Sequence, residues 1–206
     1  NSIDKDLWRR DFSINSMALV LSPNEDWQIL DPTNGLLDVV KGVIRILHDK
    51  SFVDDPTRIF RTVKSSVRFS FTIEEHTQNL IKTCIKSDHL NQISGHRILS
   101  ELSHITEEAN YIATTKLLSS LGILSAIHPK LEISDALLDR LNQLQNLSKS
   151  DPSKLLNLLF SDINTENITS ICSRLDLNPK TKQILYDVQT IKQTSKYLSR
   201  SNILNS

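Results

Sequence analysis

The chain has 206 residues, of which 38% are hydrophobic and 23% are charged, and its 24 basic and 24 acidic side chains leave a formal net charge of zero. This composition predicts a soluble globular protein of one large or two small domains, and it gives no support for nucleic-acid binding through bulk charge, so that any basic footprint must be local. Because no apolar run approaches ~18 residues, no membrane partner is expected.

The cysteines and glycines narrow the function classes further. Cys84 and Cys172 lie far apart, without the spacing of a zinc or redox site, so we expect buried free thiols in a cytoplasmic protein. With 4 glycines in the chain, little room remains for a glycine-rich phosphate loop.

Residues 6–19 form the first ordered stretch. Leu7, Ile14 and Ala18 approximate a helical stripe and predict a short helix. The polar residues packed beside that stripe are Arg9, Arg10, Asp11 and Asn15. Two arginines beside an aspartate indicate a phosphate or ribose pocket. The alternative, which this stretch taken alone favours, is a salt-bridged helix end.

A small β portion is predicted next. Residues 18–22 and 27–30 form a hairpin around the turn residues 23–26. A second turn, a short helix and a further strand follow at 31–35, 36–40 and 43–47. Such a β portion is too short to close a core and would leave an open edge, which predicts that something is missing upstream.

The most informative stretch is residues 51–69. Pro56 suits the first helical position, since its missing N–H needs no partner there, and Asp54 and Asp55 stand at the positive end of the helix dipole. At ~100° per residue, one face gathers Ile59, Phe60, Val63 and Val67, and the opposite face gathers Arg58, Arg61, Lys64 and Arg68.

A carboxylate one turn before a row of cations suits nucleotide recognition. An aspartate accepts from the amino group of a base, and an arginine donates in a fixed fork to ring acceptors or phosphate. The alternative is a surface helix with ordinary ion pairs. As with the double-arginine stretch, these residues taken alone favour that alternative.

The rest of the chain reads as helical. Gly122 is the residue type of a helix stop. Leu137, Leu138, Leu141, Leu144 and Leu147 form an apolar stripe, residues 148–150 a link, and Asp151-Pro152 and Asn178-Pro179 open two further helices over 155–160 and 181–198.

Three motifs resemble, in order and spacing, the class II tRNA nucleotidyltransferase and bacterial poly(A) polymerase family. They are LWRRDFSINSMA at 7–18, LDPTNGLLD at 30–38 with its continuation GVIR at 42–45, and DDPTRIFR at 54–61. The resemblance continues through a helix near 78–86, through 93–102, which resembles the family's next helical motif, and through a further helix at 111–121 before Gly122. It fades beyond about residue 131.

The resemblance implies a mainly α fold with a small residual β portion. Residues 1–50 would be the C-terminal part of a nucleotidyltransferase head, 51–130 a helical neck with the nucleotide-selecting motif, and 131–206 a helical, RNA-binding body. The family's metal-binding carboxylates and glycine-rich turn are not present, so the chain resembles a C-terminal fragment, expected to be inactive alone. Asp4-x-Asp6 has the bare spacing but lies in the run into the double arginine, and we reject it as the metal site.

The implied activity is nucleotide addition to an RNA 3′ end: CCA, CC or A on tRNA from CTP and ATP, with Mg²⁺ bound by the missing upstream part. The resemblance assigns triphosphate and ribose contacts to Arg9, Arg10, Asp11 and Asn15. It assigns the base to Asp55 and Arg58, phosphate or local bracing to Arg61 and Lys64, and a hinge to Asp31 and Gly35. The body would meet tRNA through phosphate contacts.

Some positions depart from the family's pattern, namely Asp54, Lys64, Ser65, Ser70 and His96, where glutamate, arginine, phenylalanine, glycine and glutamate are usual. A lysine at 64 cannot make a bidentate fork, and His96 puts in doubt the contact that braces the nucleotide-selecting turn. Three alternatives stay open: a poly(A) polymerase, a non-catalytic helical module that binds RNA or protein, and a helical scaffold whose motif matches are chance.

Overall fold

The computed structural model of the chain describes residues 3–21, 27–147 and 152–204. It contains two compact units, Asn1–Gln92 and Ile93–Ser206. The predicted fold class, mainly α with a small β portion, is confirmed. Within the described residues, no helix has both the length and the hydropathy to cross a membrane.

The first unit combines short strands with helices. Its helices are α1 (Ile3–Leu7), α2 (Gly35–Lys41), α3 (Ser51–Asp54), α4 (Arg58–Phe69) and α5 (Glu75–Lys86), with 3₁₀ turns at Ser13–Asn15 and His89–Gln92. Its strands are β1 (Ala18–Val20), β2 (Gln28–Leu30), β3 (Val43–Ile44) and β4 (Thr72–Ile73).

The strands form two pairs. β1 and β2 are antiparallel with Ala18 opposite Leu30, so the predicted hairpin is confirmed, while its predicted turn at 23–26 lies outside the described residues. β3 and β4 are parallel with Val43 opposite Thr72. The sequence did not predict β4, because a two-residue strand carries no periodicity of its own.

The helix predicted over the double-arginine stretch is wrong. α1 ends at Leu7, and a short 3₁₀ turn follows only at Ser13–Asn15. Between them the chain pairs with distant backbone, since Phe12 forms an isolated bridge with Ile46 and the Ser13 N–H donates to the carbonyl of Arg45. Tertiary pairing therefore overrides the local helical pattern, and the side chain of Phe12 is buried at 1% exposure.

Most of the apolar stripe predicted within residues 51–69 is confirmed, with Val67 half-buried at its end. Ile59, Phe60 and Val63 of α4 are at most 1% exposed. The helix begins at Arg58, two residues after the proline that predicted its start. The cause is a turn in which the carboxylate of Asp55 accepts hydrogen bonds from the N–H and hydroxyl of Thr57.

The described residues of the second unit form helices joined by turns, with no strand among them. Its helices are α6 (Gly95–Thr106), α7 (Tyr111–Ser120), α8 (Ile123–Ile127), α9 (Asp135–Leu147), α10 (Pro152–Leu159), α11 (Thr165–Leu175) and α12 (Pro179–Leu204). The sequence analysis missed α11, although the helix begins with a capping signal. The side chain of its N-cap residue, Asn164, accepts a hydrogen bond from the N–H of Asn167. The link at 148–150 and the cap at Asp151 lie outside the described residues.

Both cores contain predicted buried groups. Leu137, Leu138 and Leu141 of α9 are at most 8% exposed, which confirms that part of the leucine stripe. Cys84 and Cys172 are buried free thiols, as expected. Burial raises the pKa of Cys84 to about 11, so this thiol stays protonated at neutral pH.

A chain of charged hydrogen bonds ties the double-arginine stretch to the rest of the first unit. Asp38 of α2 is 4% exposed; its carboxylate accepts from the Ser13 hydroxyl at 2.6 Å and from Nε of Arg45 at 3.0 Å. Arg45 also donates to Glu74 at 2.7 Å, and Glu74 accepts from the N–H and hydroxyl of Thr77. The backbone of residues 12–16 is thus anchored to α2, β3 and the start of α5.

We expect Gly95→Ala to destabilise the second unit by about 3 kcal/mol, the scale of overpacking a close contact. A Cβ at Gly95 would lie 2.4 Å from the carbonyl oxygen of Arg174 and 2.6 Å from the carbonyl carbon of Leu175, so α6 and α11 must separate. The matched control is Gly122→Ala, where the added methyl meets nothing closer than 3.9 Å and only the positive φ costs about 1 kcal/mol. Urea unfolding measures both, and equal losses would contradict the close approach.

A pH-dependent prediction follows from Glu74. Burial raises its pKa, but the bonds from Thr77 and the charge of Arg45 outweigh burial, and the net pKa is lowered. Ionised Glu74 therefore stabilises the fold above the ordinary pKa of 4.5, and this contribution is lost as pH falls through the lowered pKa. We expect Glu74→Gln to cost about 1–2 kcal/mol at pH 7 and progressively less below pH ~4.5.

Urea titrations of wild type and Glu74→Gln between pH 7 and pH 3 measure this difference. The control is Glu75→Gln, because the neighbouring Glu75 is exposed and its side chain has no hydrogen-bond partner among the described residues. A Glu74→Gln cost that stays constant across this range would contradict the expected loss.

Candidate functional site

Two segments of the first unit meet at a cluster of charged side chains. Asp11 lies on the irregular stretch after α1, and Arg58 and Arg61 lie one turn apart on α4. Arg61 donates to Asp11 through Nε at 2.6 Å and Nη2 at 3.2 Å, which is a bidentate pair. The anchored backbone of residues 12–16 and the buried face of α4 hold the two partners in place.

Arg58 contacts the same carboxylate from a more buried position. Its side chain is 15% exposed, and its Nε lies 2.9 Å from Oδ1 of Asp11. This contact is an ion pair without hydrogen-bond angles, since Nε of Arg58 is buried and has no hydrogen-bond partner. Nη2 of Arg58 also donates to the backbone carbonyl of Arg9 at 3.4 Å.

Asp55 completes the cluster at the entrance of α4. One of its carboxylate oxygens accepts from the N–H of Thr57 at 3.2 Å and from its hydroxyl at 2.7 Å. The other lies 3.0 Å from Nη2 of Arg61. Asp55 and Arg58 therefore have different main partners, and Arg61 and Asp11 connect them.

The cluster is formally neutral, since the carboxylates of Asp11 and Asp55 face the guanidiniums of Arg58 and Arg61. Their side chains are between 15% and 28% exposed, so the groups are partly desolvated yet reachable from solvent. Carboxylates and guanidiniums held in such fixed geometry are better suited to recognise the hydrogen-bonding edge of a planar ligand than to attract a ligand by its negative charge alone.

The other predicted residues are neighbours of this cluster along the chain, and the backbone carbonyl of Arg9 accepts from Arg58 within it. Arg9 and Arg10 are exposed, and Arg10 pairs with Asp6 one turn earlier. Asn15 is exposed in the 3₁₀ turn, and Lys64 is half-buried on α4. Among the residues that the structure describes, neither the Arg9 guanidinium nor the Lys64 ammonium pairs with an acid.

The two predicted hinge residues fix the start of α2. The carboxylate of Asp31 accepts from the N–H groups of Gly35 and Leu36 at 2.6 and 2.9 Å. Gly35 packs so closely that a Cβ there would lie 2.1 Å from the carbonyl oxygen of Ser13. Both residues therefore support the same backbone as Asp38, and their assignment to a hinge stays a prediction.

Thr57 and the carboxylate–arginine pair of Asp38 and Arg45 were missed as site-supporting residues. An Asp followed two residues later by a Thr carries a turn signal that would have identified Thr57. Asp38 and Arg45 fall inside the motifs of the resemblance, but nothing in their spacing shows that they meet. No group of three or more His, Cys, Asp or Glu side chains within the described residues is arranged to hold a metal ion.

Comparison with protein families gives two matches. Residues 1–45 match the model of the poly A polymerase head domain, and residues 70–134 match the model of the probable RNA and SrmB-binding site of polymerase A. Helix α4, with both arginines of the cluster, lies between the two matched regions.

Two relatives are A-adding tRNA nucleotidyltransferases. That of Geobacter sulfurreducens is 32% identical over 200 residues, which cover 92% of this chain and 23% of the relative. That of Halalkalibacterium halodurans is 37% identical over 152 residues, which cover 73% of this chain and 35% of the relative.

A solved structure agrees with these relatives. The Thermotoga maritima CCA-adding enzyme complexed with tRNA superposes with a TM-score of 0.79 and 29% identity, covering 96% of this chain and 50% of that one. The chain therefore spans at most half the length of these three proteins. From the ordered motifs, the two matched models and these similarities, the chain belongs to the family of tRNA nucleotidyltransferases and bacterial poly(A) polymerases.

Proposed function

We propose that the protein containing this chain is an RNA 3′-end nucleotidyltransferase that adds CCA, CC or A to tRNA from CTP and ATP. The observation that carries the proposal is the joining of Asp11, Arg58, Arg61 and Asp55 in one partly exposed cluster. The family membership and the A-adding and CCA-adding relatives support the choice of reaction.

In this proposal, Asp55 and Arg58 select the base. A carboxylate accepts from the exocyclic amino group of adenine or cytosine, and a guanidinium donates to ring nitrogens and carbonyl oxygens. Guanine and uracil present other donor patterns on that edge. Neither would satisfy both groups, and leaving one buried group unpaired costs free energy.

Arg9, Arg10, Asp11 and Asn15 would contact the triphosphate and ribose, with Lys64 as a further cation on α4. Arg9 and Lys64 have no acidic partner among the described residues, so they can meet phosphate without first breaking an ion pair. Asp11 is already bound to both arginines, and a ribose hydroxyl would donate to its remaining lone pairs.

The wider organisation is proposed on the same basis. Residues 1–50 would belong to the head, 51–130 to the neck and 131–206 to the RNA-binding body, with Asp31 and Gly35 at the hinge. Mg²⁺ is proposed as the cofactor because the family resemblance implies it; no group of three or more His, Cys, Asp or Glu side chains among the described residues is arranged to hold it. A cytoplasmic location is proposed because tRNA processing takes place there.

A bacterial poly(A) polymerase is the second candidate, favoured by the description of the head-domain model. A non-catalytic RNA- or protein-binding module is the third, favoured by the lack of a metal-holding acid cluster among the described residues. The tRNA nucleotidyltransferase and the poly(A) polymerase share these motifs, so their products distinguish them, whereas the binding module forms no product.

The test uses the complete protein with Mg²⁺ and tRNA that lacks its 3′ end, with ATP, CTP, GTP and UTP offered singly and in pairs. We expect product sequencing to show A, CC or CCA additions that stop at the mature end. Long A tracts on any RNA would identify a poly(A) polymerase. If the folded protein extends no RNA, the proposal fails.

Arg58→Lys tests base selection, since lysine keeps the charge and loses the fork. We expect kcat/KM for the correct nucleotide to fall about a hundredfold, because a desolvated polar group left unpaired costs up to about 3 kcal/mol. The control is Arg68→Lys on the exposed last turn of α4, which should keep at least half the activity. Equal effects of the two substitutions would contradict a selective role for Arg58.

A further inference from the structure

Arg61 lies at the centre of the cluster, and protein groups take most of its donors. Nε and Nη2 bind the two oxygens of Asp11, Nη2 also binds Asp55 at 3.0 Å, and Nη1 donates to the hydroxyl of Thr57 at 2.9 Å. At least four hydrogen bonds thus leave from a group that has five N–H donors. The sequence left two roles open for Arg61, phosphate contact or bracing.

These bonds argue against phosphate contact. A phosphate that took the fork of Arg61 would displace Asp11 or Asp55, whose side chains are only 25% and 26% exposed. The released carboxylate would then be partly desolvated and adjacent to a negatively charged phosphate, and two like charges in contact repel each other. The free energy gained by binding a phosphate at Arg61 would therefore be largely cancelled by the loss of an ion pair and by this repulsion.

The same bonds fix the direction of Asp55. One oxygen is held by Thr57 and the other by Arg61, while Arg61 also holds the hydroxyl of Thr57. The three side chains form a closed ring at the entrance of α4. In such a ring the carboxylate cannot turn without breaking at least one charged hydrogen bond.

We propose that Arg61 is a positioning residue that holds the carboxylates of Asp11 and Asp55 at a fixed separation. This role rests on the proposed function, in which Asp11 contacts the ribose and Asp55 the base of the same nucleotide. When the two carboxylates are held at this separation, a nucleotide whose ribose is bound by Asp11 places its base next to Asp55 and Arg58. Arg61 thereby controls discrimination between bases and makes no contact with phosphate.

The test compares wild type with Arg61→Lys in the complete protein. A lysine supplies one point charge and cannot bind both acids through a planar fork. We expect the ratio of kcat/KM for the preferred nucleotide to that for GTP or UTP to fall about tenfold. The matched control, Arg68→Lys on the same helix, should keep the wild-type ratio.

Inhibition by inorganic tripolyphosphate separates positioning from phosphate binding. We expect the inhibition constant to change less than twofold in Arg61→Lys and Arg61→Gln. It should rise about tenfold in Arg9→Gln, which removes a guanidinium without an acidic partner among the described residues. A tenfold rise in the Arg61 variants would overturn the proposal and assign Arg61 to the phosphates.

Thr57→Val provides a milder variant in case the Arg61 variants fold poorly. It is nearly isosteric and removes only the hydroxyl that joins Asp55 to Arg61, and we expect a two- to threefold loss of discrimination with unchanged tripolyphosphate inhibition. Wild-type transfer with full discrimination in all variants would overturn the positioning role alone. If the wild-type protein transferred no nucleotide, the proposed function and this role would both fall.

Discussion

The guanidinium of Arg61 joins parts of the chain that lie 50 residues apart. Without it, the described contacts between the irregular backbone around Asp11 and the entrance of α4 would be the ion pair of Arg58 with Asp11 and the bond from Arg58 to the carbonyl of Arg9. These side chains are between 15% and 28% exposed, so the attraction between their charges is offset by the cost of partly removing them from water, and the net gain in stability is small. The main effect of the contact is therefore on geometry, because a planar guanidinium that binds two carboxylates restricts both of them to few orientations.

That geometry depends on a second set of charges on the other side of the same backbone. Asp38 binds Ser13 and Arg45, and Arg45 binds Glu74. The irregular stretch, which has no helix or sheet to stiffen it, is thus fixed by the buried ring of Phe12 and by these hydrogen bonds. A carboxylate that must keep its place without regular secondary structure needs such support from outside.

The sequence was sufficient to predict elements with a periodic pattern of apolar residues. It was not sufficient to predict contacts between residues far apart in the chain. The stripe of Ile59, Phe60 and Val63 repeats at helical spacing and was visible. The double-arginine stretch also showed helical spacing, but pairing of Phe12 with Ile46 prevents a helix there. The residues of the cluster were found through their motifs, whereas the bonds of Arg61 to Asp11 and Asp55 needed coordinates, since local periodicity carries no information about a contact over 50 residues.

The charges divide into a neutral centre, which is the cluster, and a cationic edge, which consists of Arg9 and Lys64, its neighbours along the chain. Under the proposed function, this division lets a chain without net charge bind nucleotides. In the centre, Arg58 and Arg61 are balanced by Asp11 and Asp55, so attraction for a triphosphate is small there and hydrogen-bond geometry decides what fits. At the edge, Arg9 and Lys64 have no acidic partner among the described residues and supply local positive potential. Under the proposed function, the edge holds the phosphates that every nucleoside triphosphate shares, and the centre distinguishes the bases. Selectivity then rests on the part of the site where salt screens least, because the ion pairs there are partly buried.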